Sequence, residues 1–260
     1  MATDQIEELN IDYYEKLYKK RYPLLALLHS FVSYDQQSKA KRNYFYLKSI
    51  IRSYRQRNKK IKYLDYGCGH GSLLLKMNSS MELYAADISS NSLRNLSGIA
   101  NLLRKNINTI TVEEFMANNF GHKFDIISCS HVLEHVINDK ELLKTFYMNL
   151  ENGGTLLLNL PINEVWKDPK HVHNYSEVTA ENMLDKAGFT VKEIFLTDRL
   201  TGWLLLQEQN GIATTFKKII FRMIRLFFGI MPLMVLLLLD KVLTEKFPFQ
   251  QLIIIAKKND

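Results

Sequence analysis

Asp65, three glycines at alternate positions (Gly67, Gly69, Gly71) and Asp87 are the first residues whose types and spacing suit ligand chemistry. Glycine lets a backbone approach a bound molecule closely, and a helix starting just beyond it offers unpaired N–H groups. The spacing is G-x-G-x-G, not the dinucleotide G-x-G-x-x-G, and an acid stands ahead of it. That acid would repel a pyrophosphate, so Asp65 points to a ligand carrying an amine or a sulfonium. Asp87 closes a second apolar run about 20 residues on, where nucleotide-binding α/β folds set an acid against ribose hydroxyls.

A second set is rich in histidine. His131, Glu134 and His135 spell H-x-x-E-H, the inverted zinc-peptidase signature. A peptidase needs that motif inside a helix, with a later acidic ligand and an open metal position. Here it abuts an apolar strand, which sets the peptidase reading aside. His171 and His173 follow downstream. Should a substrate hydroxyl have to lose a proton, His131, His135, His171 and His173 are the available bases.

Positioning these residues calls for a sheet. Apolar runs bounded by turn residues place expected strands at 61–66, 82–89, 109–112, 124–130, 155–161, 190–195 and 250–257. Helices are expected at 91–105, at 142–150 and in the segment before Phe189, with a turn at 151–154.

In this setting Leu64-Asp65-Tyr66-Gly67-Cys68-Gly69-His70-Gly71 resembles the first motif of class I S-adenosylmethionine-dependent methyltransferases, and the later runs arrive in that family's order. The resemblance implies a Rossmann-like α/β fold with a seven-stranded sheet, order 3-2-1-4-5-7-6 and strand 7 antiparallel. It implies S-adenosyl-L-methionine as cofactor, held by Asp65, Gly67, Gly69, Gly71, Asp87, Ile88, Glu113 and Ser130. Glu113 or Glu114 would stand near the adenine amine, with Glu113 chosen. Relatives in the ubiquinone pathway and among small-RNA methyltransferases carry E-x-x-E-H after strand four and bind a divalent ion. This chain has His131 in place of the first Glu, so the motif is expected to line the pocket without metal. His135, His171 and His131 are the catalytic candidates, acting on a small-molecule or lipid-linked acceptor, at oxygen. An Asn-Pro-Pro-Tyr amino-methylation motif is absent, and Ser128-Cys129-Ser130-His131 stands in its place. Methylation of RNA or protein, and a cofactor-binding module without turnover, are the alternatives.

The flanks complete the expected organisation. Residues 1–60 form a helical cap, 61–199 the cofactor-binding core, 200–246 an apolar helical insertion, and 247–260 the last strand and tail. In the cap, Tyr13 or Tyr14 would touch the methionine part of the cofactor, by resemblance, with core packing as the plainer role. From Lys39 to Lys62 the chain carries many bases and no acid, which reads as an amphipathic helix with either a solvated face or an anionic contact. No dedicated nucleic-acid module is present. The net charge of +7 favours an anionic partner, and two cysteines cannot make a disulfide framework. The amino terminus lacks a signal-peptide pattern, so a cytoplasmic location is expected, peripheral on the inner face of a membrane.

Residues 216–239 are long and apolar enough to suggest a span, and 226–239 carry no charge. A crossing there would strand the last β-strand on the wrong side of the bilayer. The segment is therefore expected to lie in the interface or re-enter, bent at Pro232. A soluble insertion packed on the core or on a second copy is the alternative, and the oligomeric state stays open.

Overall fold

The computed structural model describes residues 11–19, 22–32, 34–55, 59–117, 121–164, 168, 170–200, 204, 215–243 and 247–259. The first turns expected from residue 5, and the 205–214 stretch of the expected insertion, lie outside the described residues.

Seven strands form one sheet: β1 Lys62–Tyr66, β2 Glu82–Ala86, β3 Ile107–Ile110, β4 Phe124–Ser130, β5 Leu150–Pro161, β6 Phe189–Thr197 and β7 Gln251–Lys258. Their order is β3-β2-β1-β4-β5-β7-β6, with β7 antiparallel to both neighbours and the other pairs parallel. The Rossmann-like expectation is met in full. Consecutive apolar residues feed opposite faces, as strand geometry requires. Leu64, Ile127, Leu156, Leu158 and Ile254 pack into one core layer, while Tyr63, Ile126, Leu157 and Ile255 pack into the other. Both layers are covered, so the central strands read as unbroken apolar runs.

Local chemistry moves two expected boundaries. The third strand stops at Ile110, because Thr111 caps helix α5 (Val112–Met116) and Glu114 returns a bond to the cap. This reciprocal capping box outweighs the β-branched run that suggested a strand to Val112. The expected turn at 151–154 instead lies inside β5, where the pairing with β4 shifts register.

The cap consists of α1 (residues 11–17), α2 (Pro23–Val32) and the long α3 (Tyr34–Arg55). α3 carries much of the basic run, but its charge is only partly presented to solvent. Arg42 is fully buried, donates to Thr197 Oγ1 at 2.9 Å and to the Ser38 hydroxyl, and pairs with Asp240 at 3.2 Å and Asp198 at 3.4 Å. Lys41 donates to the carbonyls of Gly229 and Met231. Lys48, Arg52 and Arg55 stay exposed. Part of the basic run is thus not on a solvent-facing surface: Lys41 and Arg42 tie the insertion to α3.

α4 (Ser90–Leu102), α6 (Asp139–Asn149) and α7 (Glu177–Lys186) cover the sheet between strands. After β6 come α8 (Thr215–Ile230) and α9 (Leu233–Val242), with Pro232 capping α9 and a bend of 116° between them. Leu200, Leu204 and Leu236 form a small separate core there. The Asp240 carboxylate accepts from the Asp198 and Arg199 N–H groups, each at 2.9 Å.

Removing the Arg42 cation would leave two carboxylates buried without their partner. Arg42→Leu is expected to cost about 3–5 kcal/mol, whereas the exposed Arg55→Ala should stay within about 0.5 kcal/mol. Denaturant unfolding of the two variants checks this.

Candidate active site

A cavity of about 950 Å³ opens at the carboxyl ends of the central strands, large enough for a nucleotide-sized ligand and a second molecule. Its first half is built on the glycine loop. The Gly69 N–H donates to Asp87 Oδ2 at 2.8 Å, and the Ser89 N–H to Asp87 Oδ1 at 2.9 Å. The Ser92 hydroxyl returns to the Gly69 carbonyl at 2.6 Å. The ends of β1 and β2 and the start of α4 are thereby tied through one buried carboxylate.

The glycines differ in what they do. Gly69 lines the cavity with φ of 52°, and a Cβ there would meet the Tyr18 hydroxyl at 2.7 Å. Gly71 does not line it: a Cβ there would strike Leu96 of α4 at 2.3 Å, so this glycine serves helix packing.

Asp65, Gly67, Asp87, Ile88 and Ser130 all face the cavity, as expected. Glu113 does not. It sits exposed on the first turn of α5, and Val112 and Met116 line the wall instead. Glu114 is spent on the capping box, so neither glutamate stands where an adenine amine was expected to find one.

Both aspartates are held in unusual states. Burial pushes Asp65 up to about 7, with the Asp87 charge adding to it and the Ser128 hydroxyl, 2.6 Å away, opposing. Burial likewise raises Asp87 to about 6, against the pull of its two N–H donors. Neither has a cationic side-chain partner among the described residues. Two buried acids facing a cavity without a cation of their own fit a ligand that brings positive charge. The Ser130 hydroxyl is buried without a hydrogen-bond partner among the described residues, a group that a bound molecule can use.

The cap closes over this half. Tyr14 and Tyr18 line the cavity and stack with centroids 6.3 Å apart, while Tyr18 meets His70 edge-on at 4.7 Å. Tyr13, the other candidate, lies under Lys170 outside the cavity lining. Glu15 docks the cap: its carboxylate accepts from the Ser90 N–H at 2.6 Å and the Asn91 N–H at 3.3 Å, at the positive end of α4. No periodicity in the sequence marks this contact.

The second half gathers the histidines. His131, at the end of β4, takes φ of 54°, a left-handed conformation costing roughly 1–3 kcal/mol for a non-glycine residue. Its N–H donates to the Asn159 carbonyl at 2.8 Å, which fixes the turn. Glu134 is wholly buried and, among the described residues, its carboxylate oxygens accept no hydrogen bond; His131 Nδ1 approaches Oε1 at 3.3 Å and His135 Nε2 at 4.0 Å. Burial raises Glu134, opposed by His135. Burial also lowers His135, against the attraction of Glu134, which favours the neutral imidazole. His171 meets His135 with ring centroids 4.7 Å apart, and its Nδ1 lies 2.7 Å from Glu164 Oε1.

His131, His135 and His171 all line the cavity. His173 does not; its Nε2 turns to the Ile137 carbonyl at 3.2 Å. One ligand atom each from Glu134, His135 and His171 lies within 4.8 Å of the others, a donor set suited to a divalent cation.

Residues 38–194 match the family described as a methyltransferase domain, more than half of the chain. The chain belongs to this family. It carries the methyltransferase domain of the class I S-adenosylmethionine-dependent family. It is 30% identical over 175 residues to the mitochondrial ubiquinone biosynthesis O-methyltransferase of Arabidopsis thaliana, covering 57% of this chain and 53% of that protein. The chain thus spans about half the length of the curated relative it matches. Among solved structures it resembles the magnesium protoporphyrin IX methyltransferase of Synechocystis, which holds bound SAH, with a TM-score of 0.55 at 13% identity over 99% of this chain and 98% of that one. A putative sarcosine dimethylglycine methyltransferase from Galdieria sulphuraria gives a TM-score of 0.56 at 13% identity, over 84% and 86% of the two chains. At such identities these two structures speak for the fold alone.

Replacing the cavity-facing Asp87 carboxylate should be felt in cofactor binding. Asp87→Asn is expected to weaken S-adenosylmethionine affinity about tenfold or more, by the loss of charge-assisted hydrogen bonds; calorimetry reads it directly. The raised acids also predict opposite pH trends. With folded values above the ordinary carboxylate range, Asp65 and Asp87 stabilise the ligand-free fold fully below about pH 4, and that contribution is lost as pH rises through about 6 to 7. A cationic ligand prefers the ionised acids, so affinity should grow over the same interval. Thermal melts with and without cofactor, scanned from about pH 5 to 8, should show a ligand-induced shift that widens with pH.

Proposed function

We propose that the methyltransferase passes the cofactor's methyl to an oxygen of a small-molecule or lipid-linked acceptor, with the histidine cluster taking the hydroxyl proton. The observation that carries this reading is the convergence of His131, His135 and His171 on the cavity wall around the buried Glu134. The named activity of the Arabidopsis relative, an O-methyltransferase, supports oxygen as the acceptor atom.

S-adenosylmethionine supplies an electrophilic methyl on a sulfonium, so the reaction needs placement and proton removal more than bond activation. Asp87 would hold the ribose hydroxyls, and Asp65 would face the cofactor's positive charge. Tyr14 and Tyr18 shut the cavity over them and limit the access of water. A neutral His135 accepts a proton readily; the Glu134 carboxylate then stabilises the imidazolium. Two cations of the basic helix, Lys41 and Arg42, are engaged inside the protein, which weakens the reading of an RNA substrate.

The donor set of Glu134, His135 and His171 favours a second reading, in which a divalent cation orients the acceptor oxygen. One experiment separates the two. Under proton chemistry, turnover of a hydroxyl acceptor survives chelator, and His135→Ala or His171→Ala lowers kcat by about 10²- to 10⁴-fold while cofactor affinity stays unchanged. Loss of turnover with chelator, restored by a divalent ion, establishes the metal reading.

A further inference from the structure

We propose that the outward face of the α8–α9 pair is a docking surface for an anionic lipid bilayer, on which the enzyme seats without crossing. α8 has more apolar surface than its packing uses. Phe221, Ile224 and Phe228 pack onto the small core of Leu200, Leu204 and Leu236. Ile219, Met223, Phe227 and Ile230 recur on a different face and lie open to solvent, Ile230 at 74%. A helix that merely packs on a core shows one apolar stripe, not two. α9 repeats the pattern: Leu236 and Asp240 are buried, while Met234, Leu238 and Val242 stand out at 67%, 60% and 69%.

Charge selects the occupant. The sole acid between Thr215 and Val242 is Asp240, and it is buried against Arg42. All other formal charge on the pair is basic: Lys217, Lys218, Arg222, Arg225 and Lys241. In sequence the α8 bases are interspersed with that helix's apolar residues, and Lys241 follows the buried Asp240 on α9. An apolar stripe flanked by base with no exposed acid is complementary to a bilayer surface with anionic headgroups. A symmetric dimer through the same pair would bring segments of like, basic charge together.

No single described helix of the pair is long enough to cross. α8 has 16 residues and α9 has 10, about 24 Å and 15 Å long, each short of the roughly 30 Å hydrocarbon layer. They are bent by 116°, with Lys41 of α3 bonded to the carbonyls at the break. The chain then returns as β7 to pair with β5 and β6. Leu204 belongs both to the core beneath this pair and to the cavity wall, so the docking helices adjoin the acceptor space. The inference extends the lipid-linked branch of the proposed function, yet it is tested without turnover.

The test is sedimentation of the full chain with vesicles of phosphatidylcholine, alone or mixed with phosphatidylglycerol. Binding is expected to the mixed vesicles and to be weakened only in part by high salt, since the apolar share is not screened. Phe227→Glu with Ile230→Glu should lower vesicle affinity about tenfold or more, and so should Met234→Glu on α9. Val178→Glu on α7, an equally exposed apolar site, should not. Circular dichroism and calorimetric binding of S-adenosylmethionine confirm that each variant is folded, which keeps a failure of docking separate from a failure of the cofactor site. No sedimentation with the mixed vesicles overturns the proposal. So does a solution dimer that Ile230→Glu splits while vesicle affinity is unchanged, because the face would then belong to a second copy.

Discussion

The structure depends on one buried carboxylate. Asp87 leaves β2 and accepts two backbone N–H groups, one from the glycine loop after β1 and one at the start of α4. Neither donor has a partner in the regular structure, so without this acid both would be buried and unsatisfied, a penalty of roughly 1–3 kcal/mol for each. The bonds fix the loop that lines the cavity and aim the amino end of α4, onto which Glu15 then docks the cap. Asp87 is 8% exposed and Asp65 4%, which leaves two acids raised above their ordinary range. Two raised acids that line the cavity without a cationic side-chain partner among the described residues suit a ligand that brings positive charge.

A second buried charge organises the opposite end. Arg42 of α3, Asp198 after β6 and Asp240 of α9 come from three distant parts of the chain and meet away from water. Desolvating them is costly, and the geometry offsets that cost through added bonds: Thr197, Ser38 and two backbone N–H groups supply the remaining partners. Gln251 donates to Asp198 at 2.6 Å and its own oxygen accepts from Asn159, which also reaches Asn43. Asp198, Asn43 and Gln251 line the cavity. The insertion and the acceptor side of the cavity are therefore parts of one polar network, and the position of α9 is not independent of the shape of the site.

The histidine cluster shows how a strained turn serves chemistry. β4 ends on Ser130, and the left-handed His131 breaks the strand so that Glu134 and His135 fold back over it in a single 3-10 turn. The Val172 N–H donates to the Glu134 carbonyl at 2.8 Å, drawing the later loop inward and bringing His171 against His135. Four side chains from two loops reach one wall because the turn, not the strand, sets their direction.

Much of the fold was legible in the amino-acid order. Strand four was expected at 124–130 and forms there, and the seven runs pair in the order the methyltransferase resemblance implied, because strands buried on both faces leave unbroken apolar signals. Asp65, Gly67, Gly69 and Asp87 were legible for a similar reason: a strand-end acid and a glycine turn are short-range features, complete within a few residues. What the sequence could not carry was pairing across long separations. Glu113 looked equivalent to any strand-end acid until Thr111 and Glu114 closed a capping box and turned the backbone into a helix. His171 and His173 are two residues apart and chemically alike, yet one faces the cavity and the other faces Ile137. Arg42 read as one base among ten, and only the arrival of residues 198 and 240 beside it made it a buried ion pair. Local propensity determines where elements begin and end; which side chain points at which partner is decided by packing, through contacts that exist only once the sheet has closed.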